Sequence, residues 1–259
     1  MKIGIIQVQR LGDIIIALPI AAWFIRQGHE VYWPVLDIHY PSFQAAGPAV
    51  NFLPISAGET ANQGALLYDL PLVRLQALGC ELILPLYTTF GKGAFCDETL
   101  KKALKFDEYK YAYAGVPFSE KWTLSLVRNH DREKELYDGL GITRPYICVH
   151  SRGYDKAIRV ILPDVWQENF QIVEIEPLTD NLFDWLYIIE HAAKRVMIDS
   201  VFANLTEQLN MAGENYLFNR SIVEFTPVYR NGWFYCWQDD PVPDLSLEYQ
   251  AAQLSVRPA

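Results

Sequence analysis

The chain has 259 residues, 51% of them hydrophobic, which is enough apolar side chain for one large domain or two small ones. Its 31 acidic residues outnumber 22 basic ones, and the net charge of −9 with a pI near 5.1 works against broad, nonspecific binding of nucleic acid. No apolar run approaches the ~18 residues of a membrane-crossing helix, and the first residues lack the basic and apolar regions of a signal peptide.

In chain order, Ile3, Ile5, Ile6 and Val8 make a short β-rich run, as a strand covered on both faces requires. Arg10-Leu11-Gly12-Asp13 interrupts it with a tight polar turn, in which Gly12 supplies backbone freedom and Asp13 takes a helix N-cap position. In an open parallel sheet such a loop lies at the carboxyl end of a strand, where ligands bind. Ile15, Leu18, Ala22 and Ile25 then follow helical spacing to a stop at Gly28. Pro19 lies inside that helix, so either the regular helix begins near Leu18 or its first turn is bent. A second strand over 29–35 completes a right-handed βαβ unit and leaves Asp37-Ile38-His39-Tyr40 at its carboxyl end, with His39 either packing or assisting a hydroxyl.

Further strands are predicted over 51–55 and 80–86, with a helix over 69–78 between them. Thr88 to Gly93 lacks P-loop spacing, and no G-x-G-x-x-G follows the first strand, which argues against a dinucleotide oxidoreductase. Tyr109, Tyr111 and Tyr113 alternate as a strand or an aromatic platform would. Lys101, Lys102, Lys105, Lys110 and Lys121, with Lys92 upstream, predict a solvated basic helix face. Cys80, Cys96, Cys148 and Cys236 have no Cys-x-x-Cys spacing and are expected to be reduced thiols, not zinc ligands.

A charged helix over 129–140 leads to Gly139-Leu140-Gly141-Ile142-Thr143-Arg144-Pro145, the clearest boundary in the chain. A fresh strand over 146–150 runs into Ser151-Arg152-Gly153-Tyr154-Asp155-Lys156 and repeats the logic of the N-terminus, which predicts a second, smaller Rossmann-type unit. Glu174 and Glu176 end the next strand, where acids accept from ribose hydroxyls. After an amphipathic helix over 181–193, the strand Val196-Met197-Ile198 delivers Asp199-Ser200 to a helix N-terminus, the dipole-positive end suited to anions. The same pair also suits a plain N-cap. Tyr216 to Phe218 is the last predicted strand, and Asp239-Asp240 is an acidic loop, not a metal pair.

Two of these stretches, Arg10-Leu11-Gly12-Asp13 with Leu18-Pro19 and Asp199-Ser200 ahead of its helix, resemble the motifs of glycosyltransferase family 9, the lipopolysaccharide heptosyltransferases and their relatives. The resemblance implies an α/β chain of GT-B architecture, with two Rossmann-type parallel-sheet domains facing a cleft. Here they would be residues 1–142 and a small 143–220, with 221–259 crossing back onto the first. It implies inverting transfer of a sugar from a nucleoside-diphosphate sugar to an acceptor hydroxyl, with no metal or cofactor, in the cytoplasm. Asp13 matches the family's proposed general base, with Arg10, Gly12, His39 and Tyr40 on the acceptor side. Ser151, Arg152 and Lys156 match loosely the turn that contacts the donor diphosphate, and Arg159 is a fourth candidate. Asp199 would hold donor-sugar hydroxyls, and Ser200 would meet phosphate. Val201 and Asn204 stand where the family usually has glycine and histidine, an alteration that bears on the donor. The acceptor would be a glycan or, in a phage enzyme, a hydroxymethylated DNA base, with the lysines and aromatics of 92–121 as the DNA surface. A non-catalytic nucleotide-sugar or glycan-binding protein of the same fold, and a nucleotide-sugar epimerase, are the alternative readings.

Overall fold

The computed structural model describes residues 1–47, 49–87, 97–153, 157–219 and 226–236, and their strands form two all-parallel sheets. The first contains β1 (Lys2–Ile6), β2 (Glu30–Leu36), β3 (Asn51–Ile55) and β4 (Leu82–Pro85) in the order β3-β2-β1-β4. The second contains β5 (Tyr146–His150), β6 (Gln171–Glu174), β7 (Lys194–Ile198), β8 (Glu214–Phe218) and β9 (Trp233–Cys236) in the order β6-β5-β7-β8-β9. The helices are α1 (Leu11–Arg26), α2 (Tyr40–Ala46), α3 (Leu70–Ala77), α4 (Glu98–Ala103), α5 (Phe106–Ala114), α6 (His130–Gly139), α7 (Asp164–Asn169), α8 (Leu186–His191) and α9 (Val201–Gln208). None of the described helices is long and apolar enough to cross a membrane.

The central strands explain why their sequences are continuous apolar runs. Ile3, Ile5, Ile6, Ile147, Val149, Val196 and Ile198 are buried, as strands with helices on both faces must be. In each sheet the first strand has its successor on one side and a later strand on the other. The order therefore reverses between β1 and β4, and again between β5 and β7. Such reversals open a crevice at the carboxyl ends of the two strands. The first lies at Gln7 to Asp13, the second at His150 to Arg152 and Asp199-Ser200.

Helix α1 couples the two sheets. Every residue from Ile14 to Ala21 is buried, because the helix has the first sheet on one side and α9 on another, so it is apolar all round. One apolar cluster accordingly joins Ile3, Ile5 and Val31 of the first sheet to Cys148, Met197 and Leu217 of the second by way of Ile15, Leu18 and Leu205.

Several sequence expectations are corrected. Helix α1 runs unbroken from Leu11 through Pro19, and Arg10, not Asp13, is its N-cap residue. Tyr109, Tyr111 and Tyr113 lie on α5, with Tyr109 and Tyr111 buried, so they form neither a strand nor an open platform. Periodicity explains the error, since an aromatic at every second position also fits two faces of one helix when both are covered. Lys101 and Lys102 are exposed and Lys105 is half-buried, but Lys110 and Lys121 are buried, so these lysines do not share one solvated face. The helix expected over 181–193 is a 3-10 turn (Leu182–Trp185) followed by α8, and β9 is a fifth strand beyond the expected last one. Cys80 and Cys148 are free thiols. Lys92, Cys96, Lys156 and Asp239-Asp240 lie outside the described residues.

Candidate active site

The chain leaves β1 through Gln7, Val8 and Gln9 and turns at Arg10, whose φ of 67° is a left-handed conformation. The Arg10 carbonyl accepts from Ile14 N–H at 3.1 Å, and no side chain caps α1. Asp13 is the third residue of that helix, in the first turn, where the helix dipole favours a carboxylate. Beneath it stands Lys110 of α5, only 2% exposed. Its Nζ donates to Gln7 Oε1 and to the Leu86 carbonyl, both at 2.7 Å, and lies 3.5 Å from Asp13 Oδ1. Burial pulls the Lys110 pKa down, and the Asp13 carboxylate opposes that shift. The Tyr87 hydroxyl, just past β4, accepts from Val8 N–H at 2.7 Å. Lys110 and Tyr87 thus bridge the two strand ends at the first reversal.

At the second reversal, β5 ends in His150 and β7 leads into Asp199-Ser200. His150 Nδ1 is 2.8 Å from Ser200 Oγ. That contact occupies the hydroxyl that would otherwise cap α9, and the Ser200 side chain does not cap the helix. First-turn N–H groups of a helix whose N-cap side chain does not reach them suit an anion or water. The Ser200 carbonyl accepts from Asn204 twice, from N at 3.1 Å and from Nδ2 at 2.9 Å. Asp199 is buried beside it. Tyr229 donates weakly to Asn204 Oδ1 at 3.5 Å, and burial drives its pKa far up, with Asp199 adding to the shift.

The two corners meet. A Cβ on Gly12 would stand 3.3 Å from Asn204 Nδ2 and 3.6 Å from Val201 N, so glycine is what lets the first turn of α1 approach the first turn of α9. The structure therefore brings Gly12, which lies between Arg10 and Asp13 in the chain, against Ser200, Val201 and Asn204. Ser151 and Arg152 leave the end of β5, next to His150, in a loop that returns through an Arg152–Ala157 bridge. Arg159 is exposed just beyond it. Glu174 and Glu176 are exposed at the end of β6, one strand farther from β7. His39 and Tyr40 are half-buried at the start of α2, after β2, one strand away from β1. Burial lowers the His39 pKa, and Asp37 opposes it.

Gln7, Tyr87, His150 and Tyr229 escaped the sequence reading as site residues, and Lys110 was read there as part of a solvated face. His150 was legible as the last residue of a strand that runs straight into a candidate loop. Lys110 would have emerged from the stripe Phe106-Lys110-Ala114 had α5 been read with helical period. A cavity of about 570 Å³ elsewhere is lined by Ser42, Arg128, Arg132, Asp180 and Asp184, among others, and by none of the corner residues. Its cations are already paired, Arg132 with Asp184 at 2.8 Å and Arg128 with Glu133 at 2.5 Å. Among the described residues no cluster of His, Cys, Asp or Glu is placed to hold a metal ion.

No protein-family model and no curated protein matches the sequence. Solved structures do match its fold. A glycosyl transferase family 9 protein of Veillonella parvula is similar over 99% of this chain and 90% of its own, with a TM-score of 0.63 and 10% identity. The ADP-heptose lipopolysaccharide heptosyltransferase II of Escherichia coli is similar over 98% of this chain and 99% of its own, with a TM-score of 0.64 and 14% identity. The E. coli heptosyltransferase WaaC, solved with ADP, covers the same shares at a TM-score of 0.52 and 12% identity. The resemblance to glycosyltransferase family 9 is thus shown in the fold, an α/β arrangement with two parallel sheets.

Proposed function

We propose that this chain is an inverting glycosyltransferase that moves a sugar from a nucleoside-diphosphate sugar to an acceptor hydroxyl. The observation that carries the reading is the meeting of the Gly12-Asp13 corner with the Ser200 corner, each at the reversal point of its own sheet. Residues 1–142 and 143–220 act as two Rossmann-type units with the substrates between them; of the segment expected to cross back, Val228 meets Lys121 and Asp107 of the first unit, whereas Trp233–Cys236 adds a strand to the second sheet.

In the reaction the acceptor oxygen forms its bond to the anomeric carbon while the bond from that carbon to the phosphate oxygen breaks. The bonding pair leaves on the nucleoside diphosphate, and the acceptor proton goes to Asp13. A carboxylate is a sufficient base, because the hydroxyl becomes acidic as its oxygen bonds to carbon. The departing diphosphate meets the uncapped N–H groups of α9, Ser200 and the Ser151-Arg152-Lys156 loop, donors that take over charge without a metal. Asp199 and Asn204 lie at the donor sugar, Glu174 or Glu176 at the ribose, and Arg10, His39 and Tyr40 on the acceptor side. ADP-heptose, the donor named for the similar E. coli enzyme, is the first to test, and a glycan hydroxyl is the acceptor class.

Thermal shift against ADP-, UDP-, GDP- and CMP-sugars should find a donor that stabilises the protein. With that donor, Asp13→Asn is expected to lose about 100-fold or more in kcat, the usual worth of a general base, and to keep the donor-induced shift. Retained turnover would remove Asp13 as the base. Turnover of the donor without any acceptor, into an epimer, would replace transfer by epimerisation, and no response to any nucleotide sugar would sink the reading as a whole.

A further inference from the structure

We infer that Lys110 is a positioning residue for Asp13: its buried ammonium holds the carboxylate by Oδ1 and leaves the other oxygen for the acceptor hydroxyl. The inference rests on the reading of Asp13 as the base.

A lysine ammonium with 2% exposure is costly to bury and persists only where its protons and its charge are matched. Two of its three protons are taken by Gln7 Oε1 and the Leu86 carbonyl, one from each strand at the first reversal, and both acceptors are neutral. They fix where the nitrogen stands but do not balance its charge. The charged and titratable groups around it are Asp13 and Arg10 from the corner and Asp107 three residues earlier on α5, with the Tyr87 hydroxyl at the end of β4. Asp107 binds Lys121 at 2.7 Å and Val228 N–H at 2.8 Å, both through Oδ2, and acts on Lys110 only at longer range, whereas Asp13 stands 3.5 Å away. Arg10 carries the same sign as the lysine. Asp13 is therefore the carboxylate that balances Lys110, and the two lysines and two aspartates sort into one pair that ties the fold together and one that faces the site. The consequence for catalysis is geometric. Asp13 sits on the first turn of a helix and would otherwise sample several rotamers. A fixed cation beneath one oxygen selects among them before substrate arrives, and preorganisation of that kind acts on kcat.

The link itself can be measured without any substrate. In protein labelled with ¹³C at lysine side chains, the Lys110 signal is identified by its loss in Lys110→Met and followed against pH. Burial depresses this lysine and Asp13 counters it, so in Asp13→Asn the midpoint should fall further. An unmoved midpoint overturns the pairing. Kinetics then test the role, with ADP release from ADP-heptose or whichever nucleotide sugar stabilises the protein. Lys110→Met should lower kcat about 30- to 100-fold with the donor KM within about threefold, and Lys110→Arg should recover part of the loss. Loss of kcat together with an equal rise in KM, or no recovery in Lys110→Arg at unchanged melting temperature, would mark Lys110 as a packing residue only. An active enzyme whose Lys110→Met variant keeps its kcat overturns this inference alone. A wild-type protein that turns over no nucleotide sugar overturns it together with the glycosyltransferase reading.

Discussion

Arg10 and Gly12 are two residues apart and stand at the first corner for different reasons. Gly12 is there because a side chain would press on the Asn204 amide, which a Cβ would approach to 3.3 Å. Arg10 is there against a backbone preference, with φ at 67° in a region that costs an L residue about 1–2 kcal/mol. A residue held at such a cost at a site is a reason to suspect that its side chain is used. Arg10→Gly relieves the strain and is expected to stabilise the protein by about 1 kcal/mol, read as a higher melting temperature. If the guanidinium meets substrate, the same variant turns over more slowly. A stability gain with unchanged kinetics would reduce Arg10 to a turn residue. Asn204 shows the same economy. Its Nδ2 donates to the Ser200 carbonyl at 2.9 Å and faces Gly12, so it braces the two corners at the place where the donor sugar is proposed to bind.

Helix α1 shows how one element accommodates an awkward residue. Pro19 has no N–H, so the carbonyl of Ile15 loses its helical partner in a fully buried stretch, where an unmet acceptor costs about 1–3 kcal/mol. Gln208 of α9 fills the gap, donating from Nε2 at 2.8 Å, and the Tyr111 hydroxyl of α5 donates to the next carbonyl, that of Ile16, at 2.8 Å. Two successive carbonyls of α1 thus take side-chain donors, one from α9 and one from α5, and the first of them is the one the proline frees. Gln208→Met keeps the volume and removes the donor, and it is expected to cost about 1–3 kcal/mol in denaturant unfolding. Adding Pro19→Ala should recover part of that loss, because the backbone N–H that alanine restores can return to the Ile15 carbonyl. A double variant no more stable than Gln208→Met would show that the carbonyl is not where the cost lies. The sequence showed that Pro19 would disturb this helix. It did not show that an amide about 190 positions away would repair it, since nothing local at Gln208 names its partner.

Across the whole molecule, residues 226–236 are held by buried charge. Lys121 and Asp107 are both fully buried and pair at 2.7 Å, and Val228 closes the group by accepting from Lys121 at 2.5 Å and donating to Asp107 at 2.8 Å. Glu207 of α9 accepts from Trp122 Nε1 at 2.6 Å, Arg230 N–H at 2.7 Å and Trp233 Nε1 at 2.8 Å. These contacts tie α5, α9 and the strand β9 into one body. Lys121→Met strands the Asp107 charge and is expected to cost about 3–5 kcal/mol in chemical denaturation. Lys121→Met with Asp107→Asn should regain a part, since asparagine still accepts from Val228 but carries no charge. No recovery would mean that the lysine matters only through its packing against Phe118, Trp122 and Tyr229.

The sequence by itself determined what depends on neighbours along the chain. Apolar runs such as Ile3 to Val8 and Tyr146 to His150 specify buried strands because both faces of a parallel sheet are covered. The sequence also placed strand-to-helix corners at Gly12-Asp13 and Asp199-Ser200, although the first turn is made at Arg10 and Gly12 lies inside α1. Only the tertiary structure decided which surfaces meet. It set Gly12 against Asn204, buried Lys110 under Asp13 and Lys121 against Asp107, and turned the tyrosines of α5 inward. The physical reason is that the sign and spacing of a charge are local, whereas its burial depends on what packs over it, and a lysine among tyrosines looks the same in the chain whether it is solvated or sealed beneath a carboxylate.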